Sequence, residues 1–165
     1  MQTKVRLLGH SVHQMLVVFP LGLLGASVAF DVLRWITGLV QMSLVSYYLI
    51  AAGLIGGVIA APFGLADWLA IPRETRARRV GALHGSGNAV VLALFFASWW
   101  LRRSAPDAPA ALALACSFAG AALSLVTGWL GGELVDRMGV GVDDGANLDA
   151  PSSLSRPQAQ LRRGH

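Results

Sequence analysis

Charge is scarce in this 165-residue chain: only 13% of residues are Asp, Glu, Lys or Arg, about half the roughly 25% of an ordinary soluble domain. Four stretches, 7–30, 35–66, 80–101 and 108–132, carry none at all. Each exceeds the roughly 20 residues a helix needs to cross a bilayer, which excludes a water-soluble globule. Cysteine is almost absent too. Cys116 stands alone in the fourth stretch, so no disulfide within the chain and no CxxC metal spacing exist, and its simplest role is that of a small buried apolar side chain. Also missing are a phosphate-cradling Walker loop, a G-x-S-x-G nucleophile turn, an H-E-x-x-H zinc helix and a dinucleotide-binding glycine turn. The pI near 10.2 does not indicate nucleic acid, because the basic residues sit in loops and ends with no basic helix face or aromatic platform.

What remains describes an all-α integral membrane protein: a four-helix antiparallel bundle over 1–142, with spans at about 12–33, 43–69, 82–101 and 109–135, then a disordered cytoplasmic tail at 143–165. Ten Lys and Arg (Lys4, Arg6, Arg73, Arg76, Arg78, Arg79, Arg137, Arg156, Arg162, Arg163) fall on one side of such a bundle and three (Arg34, Arg102, Arg103) on the other. Basic loops stay in the cytoplasm, so a multi-pass bacterial inner-membrane protein with both termini cytoplasmic is expected. A cleaved signal peptide is the rival reading of the first span, disfavoured because His10, His13 and Pro20 interrupt the apolar run and no clear cleavage site follows it.

Trp35, Tyr47, Tyr48, Trp68, Trp99, Trp100 and Trp129 mostly fall near span ends, as headgroup anchors do. Small residues recur at four-residue spacing: Gly53 and Gly57, Gly56 and Ala60, and the row Gly120, Ser124, Gly128, Gly132. Such rows let membrane helices approach closely, so a bulky residue at Gly128 is expected to disrupt the bundle. Pro20 and Pro62 each remove a helix donor and predict bends. Spans one and three both open with histidine and spans two and four both close with an acid, a faint echo of a duplicated two-helix unit.

In this topology the polar residues of all four spans gather at the cytoplasmic end: His10, His13, Asp67, His84, Asn88, Glu133 and Asp136. Ionisable groups facing lipid cost several kcal/mol each, so they should turn inward and pair. His10 with His13 and Glu133 with Asp136 match the i, i+3 spacing of one helix face, and His84 with Asn88 matches i, i+4. Three chemistries fit. His13 and His84 could ligate a b-type haem, with Gly81, Gly85 and Gly87 making room, Asn88 beside the ring, and Arg73, Arg76, Arg78 and Arg79 meeting the propionates. Alternatively His10, His13, Asp67, His84 and Glu133 supply nitrogen and oxygen ligands for zinc or non-haem iron. In the third reading the cluster only locks helix ends together. Asp31 and Arg34, three residues apart near the other end, read as a surface pair.

The segments GHSVHQMLVVFP at 9–20, FGLADW at 63–68, HGSGN at 84–88 and GWLGGELV at 128–135 resemble, in the same order, a bacterial membrane family catalogued as domain of unknown function 2231. The resemblance covers about 9–142. It implies a four-helix membrane protein with no established activity, and relatives joined to Rieske iron-sulfur domains imply electron transfer. Ser11, Gln14, Val18 and Met138 stand where that family often carries prolines and further histidines, which removes those histidines as ligands. The combined expectation is a haem- or metal-binding redox component in the lipid bilayer. Its partner would be an iron-sulfur or cytochrome protein or a second copy of itself, and not nucleic acid. The alternative is a non-catalytic membrane accessory or small transport-related protein.

Overall fold

The computed structural model describes residues 3–155. A two-stranded hairpin, β1 (Arg6–Leu7) and β2 (His10–Ser11), precedes the helices α1 (Val12–Leu16), α2 (Val18–Thr37), α3 (Gln41–Ala70), α4 (Arg76–Arg102) and α5 (Ala111–Gly132), and a π-helical turn (Glu133–Arg137) extends α5. Four helical spans, Val12–Thr37, Gln41–Ala70, Arg76–Arg102 and Ala111–Arg137, are long and apolar enough to cross a membrane.

Local chemistry explains the boundaries. Pro20 has no N–H to give the Leu16 carbonyl, and the first span breaks there into α1 and α2. The α3 helix, in contrast, runs unbroken past Pro62. Gly38 ends α2 with φ of 73°, a left-handed cap that costs glycine little. Thr75 opens α4 by accepting the Arg78 N–H at 3.1 Å. The hairpin was not anticipated. Its two-residue turn places Leu8 at φ 51° and Gly9 at φ 88°, the pattern of a tight right-twisted connection.

The spans pair as two hairpins, α2 on α3 and α4 on α5, joined through α3 and α4. The interior is unusually small and polar: Ser27, Ser43, Ser46, Ser98 and Ser117 are fully buried, while Ile55, Val58, Leu125 and Trp129 are exposed. That inversion is what lipid demands, since apolar side chains gain nothing by leaving it. Leu24, Ile50, Val91 and Phe95 form an apolar layer at mid-bundle.

The faint duplication becomes geometric here. The same separation of 71 residues links His13 to His84, Leu24 to Phe95, Ser27 to Ser98 and Asp31 to Arg102. Leu24 lies against Gly53 as Phe95 lies against Gly120. The two hairpins therefore repeat one pattern of residues and contacts at these positions.

One expectation is corrected. The four-residue row on α5 does not form one packed face: a Cβ on Gly120 would come 2.9 Å from the Phe95 ring, but Gly128 is exposed with nothing within 4 Å. Close approach instead occurs at Gly53 and Gly57, where a Cβ would meet Leu24 and Leu92 at 2.6 Å. Residues 143 and 153 contact the N-terminal hairpin. Arg6 pairs with Asp143 at 3.1 Å and Ser153 donates to the Leu8 carbonyl at 2.9 Å. The Gly145 N–H, then Arg6, hold the Asp143 carboxyl below its ordinary value. Arg156, Arg162, Arg163 and the rest of 156–165 lie outside the described residues. We expect Gly53→Leu to lower stability by about 1–3 kcal/mol through overpacking and Gly128→Leu to leave it nearly unchanged, measured as thermal unfolding in detergent.

Candidate functional site

At the end of the bundle that carries the N-terminal hairpin and most of the arginines, two histidines are held in the same way. His13 Nδ1 lies 3.2 Å from the Ala60 carbonyl on α3, and His84 Nδ1 lies 2.8 Å from the Thr127 carbonyl on α5. A carbonyl only accepts, so each Nδ1 donates and the neutral ring keeps its lone pair on Nε2. Each ring is seated on the glycine four residues beyond its carbonyl. A Cβ on Gly64 would lie 2.6 Å from His13 Cε1, and one on Gly131 would lie 3.1 Å from His84 Cε1. The two rings lie at the same end of the bundle, one on each hairpin.

Asn88 steadies His84. Its Nδ2 donates to the His84 carbonyl at 3.0 Å, and its Oδ1 accepts from Thr127 Oγ1 at 3.0 Å. Nδ2 also lies 3.5 and 3.2 Å from the two ring nitrogens.

The other expected ligands are not brought to this pair. His10 lies on β2, exposed, with Nδ1 3.2 Å from the Leu8 carbonyl. The helical face it was expected to share with His13 does not exist, because the chain is extended through Ser11. Asp67, only 7% exposed, accepts the Lys4 N–H at 3.1 Å and the Ser11 hydroxyl at 3.4 Å; it fastens the hairpin to α3. Glu133 pairs with Arg76 at 2.9 Å. Among the described residues no group of three or more His, Cys, Asp or Glu is placed to hold a metal ion. The five residues read as a metal set are thus divided among separate partners. The glycines expected to make room are also divided: Trp68 fills the space over Gly81 and Thr127 that beside Gly87, while Gly85 is exposed with nothing within 4 Å. Arg78 is occupied by the Trp68 ring, 3.8 Å away, and by the carbonyls of Trp68 and Ile71.

The opposite end holds the feature that sequence reasoning missed. Arg102, fully buried, makes a bidentate pair with Asp31, with bonds of 2.8 and 2.7 Å. Its remaining donors reach Ser46, Ser98 and Ser117, each at 3.1 Å. One guanidinium therefore bonds residues from all four spans. Asp31 does not pair with Arg34 as expected, and Arg102 does not belong among loop charges. The 71-residue echo of Asp31 and the serine four residues before Arg102 were the available signals. Leaving one buried charge without its partner costs about 3–5 kcal/mol, whereas replacing both by apolar groups is often neutral. Arg102→Met is therefore expected to destabilise strongly and the double variant Asp31→Leu, Arg102→Met much less, measured by detergent unfolding.

The family comparison agrees with this architecture. Residues 9–144 match the DUF2231 family, described as predicted membrane proteins. The chain belongs to that family. No curated protein and no solved structure matches the chain. This DUF2231 protein is accordingly a multi-pass membrane protein, and any activity must be argued from its own residues.

Proposed function

We propose that this DUF2231 protein is a membrane redox component in which His13 and His84 ligate a b-type haem at the basic end of the bundle. The observation that carries the reading is the matched pair of imidazoles, one from each hairpin copy. In both, Nδ1 is fixed on a carbonyl, so the lone pair of the neutral ring is on Nε2, the arrangement that orients a histidine for metal ligation.

The donor set fits the group. Both rings are half-buried, and a carbonyl bonded to Nδ1–H makes Nε2 a better ligand. Space for a macrocycle is offered on the exposed Gly85 flank, not over Gly81 or Gly87. Arg73 and Arg79, exposed at the same end, are available for propionates, in contrast to Arg76 and Arg78. A bis-imidazole haem would supply one-electron transfer. The residues of this chain would position it: Ala60, Thr127, Gly64 and Gly131 set the ring planes, and Asn88 holds His84. The mid-bundle apolar layer separates this site from the other end, so electrons would be exchanged on one side with a partner such as an iron-sulfur or cytochrome protein. The excess of basic residues at this end favours the cytoplasmic side of an inner membrane.

A purely structural clasp is the second reading, favoured because each histidine already ties the two helices of its own hairpin together. A visible spectrum of the detergent-purified protein, expressed with haem supply and recorded before and after dithionite, separates the two. A Soret band that sharpens on reduction and is lost in His13→Ala and in His84→Ala is expected. No Soret band, with His84→Ala merely lowering thermal stability, would replace the haem reading with the clasp.

A further inference from the structure

A cleft of about 370 Å³ opens at the end of the bundle away from the termini, between the α2–α3 turn and the 103–110 loop. Asp31, Arg34, Trp35, Ser43 and Asp107 are among the residues lining it. Its depth in the bilayer follows from helix length. From His84 to Arg102, α4 rises about 27 Å at about 1.5 Å per residue, nearly the whole of a roughly 30 Å hydrocarbon core. Arg34 lies one turn beyond Asp31, the partner of Arg102, so the cleft sits at headgroup level. Trp35, 62% exposed and stacked on Phe118 at 5.3 Å, marks the same boundary.

The charges in this cleft are unbalanced in a specific way. Asp31 is fully engaged by Arg102 through both oxygens and offers nothing further. Arg34 is half-buried and, among the described residues, has no carboxylate partner; Asp107 is exposed and likewise has no cation. The Ser43 hydroxyl is fully buried and makes no hydrogen bond, a condition that ordinarily costs about 1–3 kcal/mol. A guanidinium, an orphaned hydroxyl and a carboxylate thus line one small polar recess beside an apolar wall. Both signs are present, and neither is answered by the protein.

We propose that this cleft binds a phosphoethanolamine zwitterion, the headgroup of a bilayer lipid, with the phosphate on Arg34 and Ser43 and the ammonium on Asp107. Phosphate takes paired N–H bonds from a guanidinium and one more from a hydroxyl. A primary ammonium has protons to give a carboxylate, whereas a choline headgroup has none. A purely anionic headgroup would satisfy Arg34 and be repelled by Asp107. The glycerol and acyl chains would leave along Trp35 and Phe118.

The test uses the full-length protein, delipidated in detergent and titrated with phosphatidylethanolamine, phosphatidylcholine and phosphatidylglycerol, with bound lipid counted by native mass spectrometry. Soluble glycerophosphoethanolamine is added in a parallel arm. Phosphatidylethanolamine should be retained about tenfold better than the other two lipids, and Arg34→Gln and Asp107→Asn should each lower its retention by about tenfold or more through the lost charge-assisted hydrogen bonding. Ser43→Ala, which keeps every charge, should weaken binding less and confirms that loss does not follow from misfolding. Binding of the lipid without the soluble compound assigns the site to the bilayer, and equal binding of both assigns the same chemistry to a free solute. Equal retention of all three lipids, or phosphatidylethanolamine retention unchanged in Arg34→Gln, overturns the proposal.

Discussion

One guanidinium holds the bundle together. Lipid supplies neither water nor counterions, so a buried Arg102 persists only where every donor finds an acceptor. Asp31, Ser46, Ser98 and Ser117 meet that demand from four different spans. Between the helix hairpins no hydrophobic force operates, and this network, with close approach at Gly57 between the hairpins and at Gly53 and Gly120 within them, provides what burial of leucine provides in water. The rest of the molecule follows from that closure. The apolar layer of Leu24, Ile50, Val91 and Phe95 lies between it and the two histidines at the far end.

Duplication gives this arrangement its economy. Two copies of one hairpin place like residues at like depths, so a single design for seating a histidine, carbonyl then glycine one turn on, is used twice. At the opposite end the copies have diverged. Where one carries Asp31 the other carries Arg102, turning a symmetric position into a complementary one. An identical pair of acids there would repel; an acid and a base attract. His13 and His84 are the same residue at positions 71 apart, each bonded to a carbonyl of its own hairpin.

Much of this was legible in the sequence, and what was hidden had physical causes. Charge-free runs located all four spans, because no helix in lipid tolerates scattered charge. That His13 and His84 lie at one end of the bundle followed from topology alone. Arg102 was hidden because an arginine next to Arg103 at the end of an apolar run reads as a loop boundary, and its burial depends on partners as far as 71 residues away in the chain. The row from Gly120 to Gly132 misled because four residues turn a helix by about 40° beyond a full circle. By Gly128 the row has rotated off the face that meets Phe95. His10 was misplaced because a leucine at positive φ is rare, and nothing before Ser11 announced a strand.

The central claim, that a duplicated pair of hairpins is joined by complementary charges at equivalent positions, has a direct test. The reciprocal variant Asp31→Arg with Arg102→Asp exchanges the two charges across the seam. Stability in detergent should be lost in each single variant and recovered by more than half in the double. A double variant no more stable than the less stable single would contradict both the equivalence of the two positions and the dependence of the bundle on their bond.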